Sequence, residues 1–349
     1  MLIDLSLDFA TPQGRDPRGA FADAFVLARM ADGMDFAGVW IAESHFQSDY
    51  SRAAAPEMLL AALARETRNL QLGLGVFPMP LHDPLRVAET LATLDLLSGG
   101  RTMWSVGRGR TPAELKGFGV APEQALARML EGLGELRNIL MRGEVERHGV
   151  REPVNPPPDA RLVRGWMACI SAPTFDLAAD LGLDAQCGPF EPWPIAAHNL
   201  ARYREKFPVG QSAFTLGVFV HEDRAEARRL AGPGLGWAFR NILDQSGPVL
   251  KAQLETSEAH AAFRWMLPLI DRPMTLPALE ALGLAVVGTP DDLVRQLEKL
   301  RAAGLTRVAL MLGAGDVPQA DLLKACELIG AKVLPRVAEP RVVAEDLLA

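Results

Sequence analysis

Apolar and polar positions along this chain switch repeatedly between a two-residue and a 3.6-residue period. Residues 3–9, IDLSLDF, alternate as a strand does, and 18–32 follow with Ala20, Phe21, Ala24, Phe25, Ala28 and Ala31 at helical spacing. Gly33 is a helix stop, 37–42 a second strand, and 56–67 a helix with Pro56 at its first position. A third strand covers 69–77. In the helix after it Asp83 is the N-cap, Pro84 the first position and Gly99 the stop. Further strands are predicted at 101–109, 166–171, 184–188, 213–221 and 306–313, with helices at 122–142, 172–183 and 194–207 and a Thr289-capped helix within 288–304. The Pro-rich stretch 149–165 reads as a loop, and 222–285 as irregular helical pieces anchored by Trp237 and Trp265.

Eight strands separated by helical stretches point to a (β/α)8 TIM barrel, an α/β fold, as one domain over 1–349 with an irregular insertion near strand seven, about 222–285. An open doubly wound sheet is the runner-up. It would usually carry GxGxxG after the first strand, where this chain has DFATPQGRDPRG.

Composition narrows the partners. A net charge of −7 over 349 residues argues against nucleic acid. No uninterrupted apolar run is long enough for a membrane span, and the N-terminal stretch has no basic region of a signal peptide. The expectation is a cytoplasmic protein without membrane attachment. Cys169, Cys187 and Cys326 are widely spaced and read as small buried hydrophobes in a reduced compartment.

In a barrel, chemistry gathers where strands end. Strand two ends in Glu43, Ser44 and His45 directly after the apolar VWIA. A carboxylate beside an imidazole is acid–base equipment, so Glu43 and His45 are the catalytic candidates. Strand four ends in SVGRGR, two arginines among glycines that let backbone approach an anion. Strand five runs into ISAPTFDL, hydroxyls of Ser171 and Thr174 at a helix start, which suits phosphate. Together these favour a phosphorylated ligand across strands four and five. His82 reads as a loop residue, Asp291–Asp292 and the run from Arg224 to Arg229 as solvated helix faces. His148, His198 and His260 are too irregularly spaced for a metal, and no metal is assigned.

Four segments carry a resemblance to the bacterial luciferase-like flavin monooxygenases: FAGVWIAESHF, the long RNLQLGLGVF…SGGRTMWSVGRG, ISAPTFDLAADLGL, and VVGTPDDLVRQL…DVPQADLL. The match is strong over 1–145 and weak over 190–285. The resemblance implies a (β/α)8 barrel that binds FMN, or in one branch a deazaflavin, at the strand C-termini. It implies that Arg108, Ser171 and Thr174, helped by the amide of Ala172, hold the flavin phosphate. It also implies a non-prolyl cis peptide at Gly75–Val76 beside the cofactor. Many flavin-using members carry two successive histidines in the strand-two motif; here the first is Ser44.

The first functional expectation is therefore a two-component monooxygenase. Reduced FMN would come from a separate NAD(P)H flavin reductase and act with oxygen on a small organic substrate, with an apolar wall of Phe9, Phe46, Phe77 and Trp193. The second is a deazaflavin-dependent dehydrogenase or reductase with His45 as acid or base. The third, motivated by Ser44, is a non-catalytic or repurposed flavin-binding barrel. A homodimer through the helices after strands two and three is expected by the same resemblance.

Overall fold

The computed structural model describes residues 1–339 apart from Ser48, Asp49, Phe190, 257–260, Ala262, Met266 and 271–274; His260 thus lies outside the described residues. Its strands are β1 (Leu2–Ser6), β2 (Gly38–Ile41), β3 (Gln71–Pro78), β4 (Thr102–Gly107), β5 (Glu144–Arg147), β6 (Val150–Pro153), β7 (Trp166–Ala168), β8 (Asp184–Cys187), β9 (Ser212–Val220), β10 (Ala285–Gly288) and β11 (Arg307–Leu312). Eight of them close a parallel barrel in the order β1-β2-β3-β4-β7-β8-β9-β11, with β11 returning to β1. These are the eight strands expected from the sequence. β10 is a ninth, lying along the upper part of β9 (Ala285↔Gly217 to Gly288↔Val220).

The helices in chain order are α1 (Pro17–Asp32), α2 (Pro56–Glu66), α3 (Pro84–Ser98), α4 (Pro112–Gly117), α5 (Ala125–Arg142), α6 (Ala172–Asp180), α7 (Trp193–Lys206), α8 (Arg224–Thr256), α9 (Leu267–Ile270), α10 (Leu276–Ala281), α11 (Pro290–Ala302), α12 (Gln319–Lys332) and α13 (Leu334–Val337). Caps sit where turn chemistry puts them. The Asp83 carboxylate accepts from the amides of Leu85 and Arg86, and Gly99 takes the left-handed conformation that ends α3. Thr289 and Asp292 form a capping box on α11.

Side chains alternate across the wall. Ile3, Leu5, Val39 and Ile41 face outward into the main core under the helices. Trp40, Met103, Trp166, Ala213 and Ala309 form a separate cluster inside the barrel. Near the N-terminal end of that interior, Arg307 Nη1 donates to both Asp4 oxygens at 3.0 and 2.8 Å, and Nη2 to Gln71 Oε1 at 2.6 Å. Trp40 Nε1 adds a third donor to Asp4 at 2.7 Å. This buried pair is a floor beneath the mouth.

Three expectations need correction. The stretch 149–165 is not all loop: β5 and β6 form an antiparallel hairpin whose two turn residues, His148 and Gly149, both have positive φ, the geometry that suits a two-residue connection. The start of 222–285 is one 33-residue helix, α8, despite Gly232-Pro233-Gly234. Its buried stripe of Ala227, Ala231, Leu235, Ala238, Phe239 and Ile242 supplies packing that overrides the poor local propensity. Trp265 is 60% exposed and anchors little, whereas Trp237 packs on the core. Among the described residues, no helix is long and apolar enough to cross a membrane.

Candidate active site at the barrel mouth

The chain after β2 turns Glu43 toward the loop that follows β3. The Glu43 amide donates to Val76 O at 3.2 Å. Its carboxylate, 3% exposed, lies between two imidazoles: His45 Nε2 at 2.7 Å from Oε1, and His82 Nε2 at 2.8 Å from Oε2. Glu43 thus orients the His45 ring by engaging Nε2. His82 does lie in a loop, but its ring belongs to this group, a tertiary contact 39 residues away that spacing does not reveal. Among the described residues, no group of three or more ligand-type side chains is arranged to hold a metal ion.

A second carboxylate escaped the sequence reading. Glu114 is buried, and its Oε1 accepts the His45 amide at 2.9 Å while Oε2 accepts the Thr111 amide. The signal was present: Thr111-Pro-Ala-Glu114 is a capping box at the start of α4. Asp292, expected on a solvated face, likewise serves as a cap and pairs with Arg224.

Ser44, buried, points to a different group. Its Oγ accepts from Arg110 Nη2 at 2.7 Å, and the same nitrogen donates to Gln47 Oε1 at 2.6 Å. The Arg110 guanidinium lies 5.2 Å from the Tyr50 ring centroid. Burial pushes the Tyr50 phenol up to about 12, against the pull of Arg110. Asp8, beyond the end of β1, is pushed up to about 6 by burial, opposed by the Ala10 amide and by Arg15.

Between β3 and β4 the register shifts at Gly75 to Phe77. The Gly75–Val76 peptide is cis and non-prolyl, at the place the sequence indicates. A Cβ on Gly75 would meet Trp40 at 2.8 Å and Ser105 at 2.9 Å. Ser105 Oγ and Gln186 Oε1 are buried without a hydrogen-bond partner among the described residues. One residue past β4, Arg108 is exposed and pairs with no described carboxylate. The register β4–β7 (Ser105↔Trp166, Val106↔Met167) puts the ends of these two strands side by side. After β7, Thr174 Oγ1 accepts from the amides of Ile170 and Ser171 at 3.1 and 3.0 Å and lies 3.2 Å from Ser171 Oγ. Ala172, first in α6, has an amide with no intrahelical acceptor. Arg108 and the α6 start therefore follow neighbouring strands of the barrel.

The expected apolar wall is only partly there. Phe9 packs on Phe21 of α1, buried away from the mouth, whereas the buried Phe77 contacts both Trp104 and the His82 ring, with centroids 6.2 and 5.9 Å apart. Trp193 packs on Phe214 behind the strands. Alternation explains Phe9: odd positions of this first segment face the helices. Phe46, 68% exposed at a positive φ of 58°, is left at the surface beside Phe118. The three cysteines are free and buried, and burial raises each thiol, which keeps them unreactive, as small hydrophobes should be.

A parallel barrel with an acid–imidazole group, arginines and a helix start at its C-terminal rim is the plan of an enzyme that works at its mouth. The chain belongs to the luciferase-like monooxygenase family, whose model matches residues 4–307, and it is an oxidoreductase. It is 27% identical to limonene 1,2-monooxygenase of Rhodococcus erythropolis over 88% of this chain and 79% of that one. The oxygenating constituent of 3,6-diketocamphane monooxygenase of Pseudomonas putida, solved with FMN, superposes with a TM-score of 0.77 at 20% identity, covering 98% and 99% of the two chains. The coenzyme F420-dependent tetrahydromethanopterin reductase of Methanopyrus kandleri superposes with a TM-score of 0.62 at 20% identity, covering 96% and 98%.

Proposed function

We propose that the protein is a flavin-dependent monooxygenase that uses reduced FMN, delivered by a separate NAD(P)H flavin reductase, and oxygen on a small organic substrate. The observation that carries this reading is the placement of phosphate-type donors after two neighbouring strands, Arg108 after β4 and the start of α6 after β7. The donor set suits a phosphate: one guanidinium that pairs with no carboxylate among the described residues, the Ala172 amide and the Ser171 hydroxyl, while Thr174 Oγ1, which donates to Ser171 O at 2.8 Å, shapes the turn. The small residues at Gly75 and Gly107 and the unpartnered Ser105 hydroxyl suit a planar ring laid against the β3–β4 wall. Oxygen-activating electrons come with the reduced flavin. The chain's own part is to hold the phosphate, to shape the mouth and to keep a proton site at His45, whose ring Glu43 orients through Nε2.

A second reading is a deazaflavin enzyme, favoured by the F420-dependent structural neighbour. Anaerobic titration of the protein with reduced FMN and with reduced F420 separates the two. Tighter FMN binding is expected, weakened roughly tenfold or more in Arg108→Gln, with riboflavin affinity unchanged, since a charge-assisted contact is lost. Tighter F420 binding would move the assignment to the second reading. Absence of binding to both would remove the flavin assignment. We also propose a homodimer through α2 and α3, where Met58 and Leu97 are exposed around a groove of about 350 Å³; light scattering at the monomer mass would refute it.

A further inference from the structure

Arg110 is the most unusual group at the mouth. Among the described residues the guanidinium is held by neutral partners only: Ser44 Oγ, Gln47 Oε1 and the Tyr50 ring. Among the described residues, no carboxylate pairs with it, although other arginines of this acidic chain are held in ion pairs, Arg164 with Asp184 and Arg228 with Glu280 among them. Its Nε–H is buried and has no hydrogen-bond partner among the described residues. A buried donor on a permanent charge is costly to leave unmet, and a guanidinium surrounded by neutral acceptors keeps most of its field for an incoming anion. The group is also fixed. Ser44, 3% exposed, and Gln47 pin Nη2, and the Tyr50 ring supports the plane.

An apolar partner for a ligand lies beside this charge. Tyr50 contacts Trp237 of α8 with ring centroids 6.3 Å apart, and both are only partly buried. The place differs from that of the phosphate-type donors: Arg110 reaches toward the β2 end, whereas the α6 start lies beyond β7.

We propose that Arg110 is the anchor of the substrate subsite and that the substrate is an organic carboxylate, its charge on the Arg110 guanidinium and its apolar body against Tyr50 and Trp237. This deepens the flavin reading and rests on it. Ser44, standing where many relatives have histidine, then serves to aim the arginine through its hydroxyl.

Calorimetric titration of the protein saturated with FMN tests this, with benzoate and octanoate each compared with the corresponding neutral amide. Each acid is expected to bind at least about tenfold more tightly than its amide, the scale of one charge-assisted contact. Arg110→Met abolishes that preference and leaves FMN affinity within twofold. Arg110→Lys keeps part of it, because charge remains and the planar fork is lost. Ser44→Ala, which keeps Arg110 but frees it, reduces the preference severalfold and serves if the arginine variants do not fold. Equal binding of acids and amides, or no binding of either acid, overturns the proposal. So does loss of FMN affinity in Arg110→Met, which would assign the arginine to the flavin phosphate. Failure of the unmodified protein to bind FMN would instead remove the flavin reading, and acid preference measured without FMN would then still report on Arg110.

Discussion

The floor of the barrel gives the sharpest stability prediction. Arg307→Met removes a guanidinium that donates twice to Asp4 and once to Gln71, with side chains 3% and 0% exposed at Arg307 and Asp4. Methionine nearly matches the volume, so the loss is chiefly electrostatic. Asp4 keeps one donor, Trp40 Nε1 at 2.7 Å, and becomes a buried charge without a counter-ion. Breaking such a pair from one side costs about 3–5 kcal/mol. The double variant Asp4→Leu, Arg307→Met removes both charges and should recover most of that loss, because the intact pair's attraction is offset by the desolvation of its members. Urea unfolding read by tryptophan fluorescence suits the test, since Trp40 and Trp166, the latter 5.8 Å from the Arg307 guanidinium, line this floor. A single variant within about 1 kcal/mol of the parent, or a double variant as unstable as the single, would refute the reasoning.

Two further outcomes follow from the same structure. Asp8, raised from 3.8 to about 6, binds more protons in the folded than in the unfolded state between those values, so stability falls as pH rises through that window. Asp8→Asn should leave stability unchanged below pH 3.8 and raise it by up to about 3 kcal/mol above pH 6, a crossover that thermal melts from pH 4 to 8 would show. One glycine-to-alanine change should act with opposite signs at two helical sites. At Gly234 a Cβ would lie 2.0 Å from the Ala314 carbonyl oxygen, and the clash should cost about 1–3 kcal/mol, whereas Gly134 has open space and should gain about 0.5–1 kcal/mol in parallel melts.

The barrel was legible because its strands and helices each carry a local period, and caps such as Asp83 and Thr289 mark their ends. α8 was not, because its Gly-Pro-Gly break is local while the burial that overrides it is tertiary. At the site, strand-end position alone singled out Glu43 and His45, which the structure sets 2.7 Å apart, while Arg108 was chosen by resemblance. It could not supply direction. Phe9 turns out to serve the core, Phe77 backs His82, and His82 closes on Glu43 from another loop. Arg110 was visible as one arginine of SVGRGR, but its grip on Ser44 is a contact across 66 residues. The consequence of a serine in the strand-two motif therefore became readable only in three dimensions.

The measurement that bears most directly on this account is a crystal structure of the protein with FMN. The account predicts the flavin phosphate between the Arg108 guanidinium and the Ala172 amide, within hydrogen-bond reach of Ser171, and the ring against the Gly75–Val76 peptide. Phosphate density away from α6, or a flavin seated on Arg110 with Arg108 still in solvent, would contradict it.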